Sequence, residues 1–317
     1  MSIIERPVAA EPGAGISLRR ARPRYGERAV EFLLLVAALV SVLTTFGIVV
    51  AIIEPTVEFF AEPAVRVWDF LTGTQWTVLF SEAQREFGVL ALVSATLMTT
   101  VIALLVAVPF GLGAAIYLSE YATPRARRVL KPVLEVLAGI PTVVYGFFAL
   151  AFVTPVLLRP WLPVGTYNML AAGIVMGIMI IPTVASLAED AMSAVPQALR
   201  DGAYGLGSTK MQVATRVVVP AAVSGIIAAV VLGVSRAVGE TMIVAIAAGN
   251  RPIFTFNPFS DGQTMTGFIA QAASGDQQTG SVGYESLFAV AAVLFALTFL
   301  MNIVSIRLVR RWREVYE

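Results

Sequence analysis

The chain has 317 residues, of which 57% are hydrophobic and only 14% charged, with a mean hydropathy of +0.81. Ordinary soluble domains run nearer half apolar and a quarter charged, so that class is excluded, nucleic-acid-binding modules with it, and the apolar runs of about 20 residues imply an integral membrane protein. The net charge is +1, and there is no cysteine and no histidine, which removes disulfides, thiol nucleophiles, thiolate metal sites and the usual proton shuttle.

Residues 1–29 are polar and rich in arginine. The apolar run that follows is too long for a cleavable signal segment, so 1–29 is expected to be a flexible tail that touches anionic membrane lipid. Six spans are predicted, over 30–53, 87–117, 133–158, 169–187, 223–248 and 286–306, all helical because only helices satisfy their own backbone in lipid at these lengths. The second is long enough to tilt. The predicted organisation is therefore a first helix at 30–53, an extracytoplasmic segment at 54–86, a core of five helices over 87–306 and a second tail at 307–317. Segment 54–86 is acidic and carries EFFAEPAVRVWDFL, whose apolar spacing fits either short interfacial helices or a solvated loop with aromatic anchors.

Lysine and arginine set the orientation. Segments 1–29, 119–132, 188–222 and 307–317 hold 17 of the 22 basic residues, and 54–86, 159–168 and 249–284 hold four. The excess places both termini in the cytoplasm. Prolines 109, 141 and 182 fall in spans, and AGIPTVVYG and IMIIPTVAS share an Ile-Pro-Thr-Val core. Proline frees backbone groups, which a transporter uses at broken helices and which other membrane helices also tolerate.

The longest inner connection, 188–222, suggests short helices, one starting after Pro196 and ending at Gly207. Within it GAYGLGST (202–209) imitates a phosphate-binding loop, but Ser208 stands where the lysine belongs, so any ATP site must lie on another chain. The same loop resembles the signature of the membrane subunits of binding-protein-dependent ABC importers: Glu-Ala-Ala, three residues, Gly, nine residues, Ile-x-Leu-Pro. Here it reads Asp201-Gly202-Ala203, then Gly207, then Val217, Val219 and Pro220, with mild departures at the first two positions and the two aliphatic ones. FLTGTQW (70–76), FGLGAAIYLSEYA (110–122), LAGIPTVVYGFFAL (137–150), RAVGETM (236–242) and AGN (248–250) further resemble the phosphate importer permeases, the PstC type of their two subunits. The resemblance covers about 30–317.

That resemblance implies an all-α polytopic membrane protein of six transmembrane helices with the type I ABC importer permease fold, in a bacterial inner membrane. It implies no covalent chemistry and no cofactor. The implied partners are a second homologous permease, two cytoplasmic ATPase subunits and an extracytoplasmic phosphate-binding protein that lands on 54–86 and 249–284. Residues 201–208 (Asp201, Gly202, Ala203, Tyr204, Gly205, Leu206, Gly207, Ser208), with Pro220 closing the motif, are implied to couple to the ATPase.

Arg236 and Glu240 are the only formal charges between Arg216 and Arg251. At four residues apart on a continuous helix they share a face and are expected to pair. One reading is an ion pair that orients the span. The other places Arg236 on a phosphate path, where its planar cation suits oxyanions, with Glu240 as its resting partner and a selectivity element. Hydrogen phosphate has an O–H to donate and sulfate does not, so a carboxylate would discriminate between them. Thr241 could add a hydroxyl. Rival functions are import of sulfate or molybdate, an ion-coupled secondary transporter and an intramembrane enzyme. Glu240 is the one acid expected near a span centre, and neither G-x-S-x-G nor paired mid-span aspartates occur, which disfavours the last two.

Overall fold

The computed structural model describes residues 25–78, 84–275 and 277–311. Residues 1–24 of the lipid-touching tail expected at 1–29, and the last residues of the second tail, lie outside these, while 25–29 begin the first helix. Regular structure among the described residues is helical, with only two isolated bridges, Gln75 to Ile253 and Trp76 to Phe87. The chain divides into one unit ending at Val50 and a second from Ala51 onward.

The first helix, α1 (Tyr25–Ala61), is longer than the hydropathy run suggests, because Pro55 lies inside it without ending it. Its side chains from Val30 to Ile48 present an apolar surface of the kind a bilayer covers. The rest comprises α2 (Val67–Thr72), α3 (Leu90–Ile116), α4 (Pro124–Ala138), α5 (Thr142–Phe148), α6 (Met169–Ser193), α7 (Gln197–Gly205), α8 (Lys210–Val213), α9 (Val219–Ala221), α10 (Val223–Val238), α11 (Met242–Ala247), α12 (Met265–Ser274) and α13 (Val282–Arg311). Three widen into π-helix, at Tyr117–Tyr121 after α3, Ala149–Leu158 after α5 and Ala214–Val218 after α8. Four helices (α1, α3 with its π turn, α6 and α13) are each long and apolar enough to cross a membrane, and six spans result if α4–α5 and α8–α10 count as single bent spans.

The centre is the pairing of α3 with α6, the most extensive in the molecule. Small residues allow it. A Cβ on Gly173 would stand 2.6 Å from Ile102 Cβ, and one on Gly177 would stand 2.7 Å from the Ala103 carbonyl, so the two backbones touch where lipid supplies no hydrophobic drive. Alanines 95, 103, 107, 171 and 172 and Met176, Met179 and Ile180 fill the same fully buried core.

Two predicted spans are broken. The span expected at 133–158 is interrupted at Gly139–Pro141, and α4 meets α5 at 87°. Gly139 ends α4, and Pro141, lacking an N–H, opens α5 instead of continuing the first helix. The Tyr145 hydroxyl donates to the Leu137 carbonyl at 2.9 Å and braces the bend. The second Ile-Pro-Thr-Val copy behaves differently, since Pro182 sits inside an unbroken α6. The span expected at 223–248 is interrupted at Gly239–Thr241, between α10 and α11.

Of the two readings of 54–86, the described part is not a solvated loop: it carries the end of α1 and the short helix α2. Phe59, Phe70, Trp76 and Phe268 are buried and, with Phe60 and Phe87, meet edge to face at centroid distances of 5.0–6.1 Å. This aromatic cap lies at the end of the bundle opposite the basic end that carries α4 and α7.

Candidate functional site

Arg236 lies in the last turn of α10, half buried. Its Nη1 donates to the Thr183 hydroxyl of α6 at 2.9 Å, and it enters no ion pair among the described residues. The expected pairing with Glu240 is absent because the helix that would align the two ends at Val238. Glu240 is buried, and its Oε1 accepts from the Met242 N–H at 3.0 Å and the Ile243 N–H at 3.2 Å. The carboxylate thus satisfies the free donors at the start of α11, where the helix dipole also favours negative charge. The Glu240 carbonyl accepts from the Thr266 hydroxyl at 2.6 Å, which fastens the break to α12. Thr241 turns back on its own segment, its hydroxyl 3.4 Å from the Gly239 carbonyl.

A cavity of about 290 Å³ opens beside Thr183, between α4, α6 and α10; Lys131, Glu135, Ser186 and Leu232 also line it. On the basic side of it sits a charge cluster that hydropathy did not flag. Glu189 of α6 has a fully buried side chain and pairs with Arg127 and, at 2.8 Å, with Lys131, both from α4. Lys131 also reaches Asp190 at 2.9 Å. The available signal was the juxtaposition of acids just past one apolar run with a basic stretch, 125–131, beside another.

The signature loop forms the basic end. The helix α7 opens after Pro196, and Gly207, at φ +81°, closes it. The Ser208 N–H returns to the Ala203 carbonyl at 3.1 Å and the Gly207 N–H to the Tyr204 carbonyl at 2.9 Å, the paired bonds of a left-handed helix stop. Asp201, Gly202, Tyr204, Gly205, Leu206 and Gly207 are exposed, Leu206 at 89%, while Ala203 and Ser208 are half covered. Pro220 is exposed in α9 and lies apart from this turn in the chain. Thr209 and Gln212 then cap α8 reciprocally. Sequence reasoning missed Arg200, which is 8% exposed and points inward from α7.

Residues 107–314 match the family described as the binding-protein-dependent transport system inner membrane component. The chain belongs to that family. The permease is 32% identical over 316 residues to the probable ABC transporter permease protein YqgH of Bacillus subtilis, covering 99% of this chain and 98% of that one. It is 33% identical to the phosphate transport system permease protein PstC of Mesorhizobium japonicum, covering 74% and 76%. A bacterial alginate ABC transporter, solved in complex with an alginate pentasaccharide-bound periplasmic protein, shares the fold, with a TM-score of 0.61 at 16% identity over 91% and 98% of the two chains. The permease is thus a multi-pass membrane protein with the type I ABC importer permease fold, a transport component.

Proposed function

We propose that this permease admits inorganic phosphate to the cytoplasm by alternating access, driven by ATP hydrolysis on separate subunits. The observation that carries the reading is Arg236, a permanent cation in a membrane helix whose partner is a neutral hydroxyl. An ionisable residue so placed marks a pathway, and a guanidinium held only by a neutral hydroxyl suits an oxyanion. Relatives named as phosphate permeases support the choice of anion.

In this reading Arg236 receives phosphate and exchanges Thr183 for it. Glu240 acts from the helix break. Its Oε1 holds α11 in place, and its second oxygen offers an acceptor to the proton of hydrogen phosphate. Thr241 adds a hydroxyl to the same passage. The basic end faces the cytoplasm with both termini, as the distribution of lysine and arginine supports. There the exposed turn 201–208 docks on one of two ATPase subunits, and Pro220 shapes the return to the membrane. A second homologous permease completes the path, and a phosphate-binding protein docks at the aromatic-capped end, on 54–86 and 249–284.

The deciding experiment is radiolabelled phosphate uptake by the reconstituted complex with excess unlabelled sulfate, molybdate or arsenate. Competition by arsenate alone is expected. Equal competition by sulfate removes phosphate selectivity and leaves Arg236 a general oxyanion contact.

A further inference from the structure

Arg200 is the least exposed residue of α7, and its guanidinium holds three elements at once. Nε and Nη2 reach Oε1 of Glu120 at 3.3 and 3.0 Å. Nη2 donates to the Met192 carbonyl at 2.8 Å and Nη1 to the Val195 carbonyl, which satisfies the last turn of α6 and the residues after it. The side chains of the ion pair are 10% and 5% exposed. Glu120 belongs to the π-helical turn Tyr117–Tyr121 that ends α3, and the Ser119 hydroxyl donates to the same Oε1 at 2.9 Å. A second link lands on the same turn from the other side of the loop, where Lys210 Nζ stands over the Tyr121 ring at 5.1 Å from its centroid. Beneath them Ala115, Met192, Val195, Val213 and Val218 form one buried apolar cluster.

We infer that the Arg200–Glu120 pair is a positioning element for energy coupling: it makes the π turn of α3 the receiver of motion that enters at α7. A buried, hydrogen-bonded pair is rigid, since breaking it leaves an unpaired charge in a poorly solvated place. A π turn is a site where a helix changes register cheaply and is frequent at functional positions. Displacement of α7 therefore drags α3 and the end of α6 together. Because α3 and α6 are the most tightly packed pair, the push reaches the Thr183–Arg236 region through α6 rather than through α10, which is separated from the loop by a 73° bend.

The inference rests on the proposal that α7 docks on an ATPase subunit, and the test separates the two. Uptake and ATP hydrolysis are measured together in proteoliposomes of the whole complex for wild type, Glu120→Gln, Arg200→Lys and the exchange Glu120→Arg/Arg200→Glu. Copurification of the ATPase subunits is scored for each, and a Leu206→Cys variant is tested for crosslinking to them. The expected result is intact assembly with uptake per ATP hydrolysed reduced about tenfold in Glu120→Gln, within the range of coupling residues. The exchange variant is expected to regain part of the ratio. An unchanged ratio in Glu120→Gln, with assembly intact, overturns the inference. Failure of Leu206→Cys to crosslink, with the ratio still reduced in Glu120→Gln, overturns the docking reading and leaves the pair as the transmitter of another input. Loss of assembly in both Glu120→Gln and Arg200→Lys shows a merely structural pair and also overturns it.

Discussion

A guanidinium in a membrane helix costs up to roughly 2.5–3.5 kcal/mol on insertion scales, the full amount at the helix centre, whereas Arg236 sits in the last turn of α10. Arg236 meets that cost with one hydroxyl and partial exposure, while the nearby carboxylate of Glu240 is spent on backbone N–H groups. The two residues therefore separate by experiment. Arg236→Gln is expected to lower phosphate uptake by an order of magnitude or more and to leave the melting temperature of the purified complex nearly unchanged. Glu240→Ala is expected to cost about 1 kcal/mol of stability through the lost cap, read as a lower melting temperature, with Glu240→Gln closer to wild type because an amide oxygen still accepts. Equal melting temperatures for Glu240→Ala and wild type would remove the capping role.

Among elements, the attachment of α4 to α6 rests on charge. The side chain of Glu189 has no exposed surface, and its counter-charges, Arg127 and Lys131, are 41% and 31% exposed. Replacing both cations with methionine strands a buried carboxylate, expected to destabilise by about 3 kcal/mol. Adding Glu189→Met to that pair is expected to restore most of the loss, because the apolar triple has nothing left unpaired. Chemical denaturation of the two variants beside wild type decides it. At α7 the effect runs the other way. A Cβ on Gly202 would meet nothing within 4 Å, so Gly202→Ala is expected to stabilise that helix by about 0.5–1 kcal/mol. At the α3–α6 contact Gly177→Val pushes a branched side chain against the Ala103 carbonyl and Val106, and little folded complex is expected on size-exclusion chromatography.

For the whole molecule, hydropathy marked the apolar segments that hold the four helices long enough to cross a membrane, since that signal depends on short stretches of chain. Local turn chemistry was equally legible: Pro196 before α7 and Gly207 after it stand where a short helix was expected to start and stop. The two interrupted spans were not legible as breaks. Apolar content is the same on both sides of Gly139–Pro141 and Gly239–Thr241, so a hydropathy window runs straight through them. The paired Ile-Pro-Thr-Val segments make the point sharply, because one opens a helix after a break and the other lies inside α6. Proline frees backbone groups in both, and the neighbouring packing decides whether the helix continues.

The sequence by itself determined the class of molecule, the positions of its four long apolar helices and the turn that marks its family. These follow from transfer free energies and from backbone preferences that act within a few residues. Only the tertiary structure decided the charged partners. Arg236 meets Thr183 across 53 positions, Arg127 meets Glu189 across 62 and Arg200 meets Glu120 across 80. A buried charge takes whichever partner the close packing of helices brings within reach, and that choice is made by the small residues between α3 and α6, not by spacing along the chain.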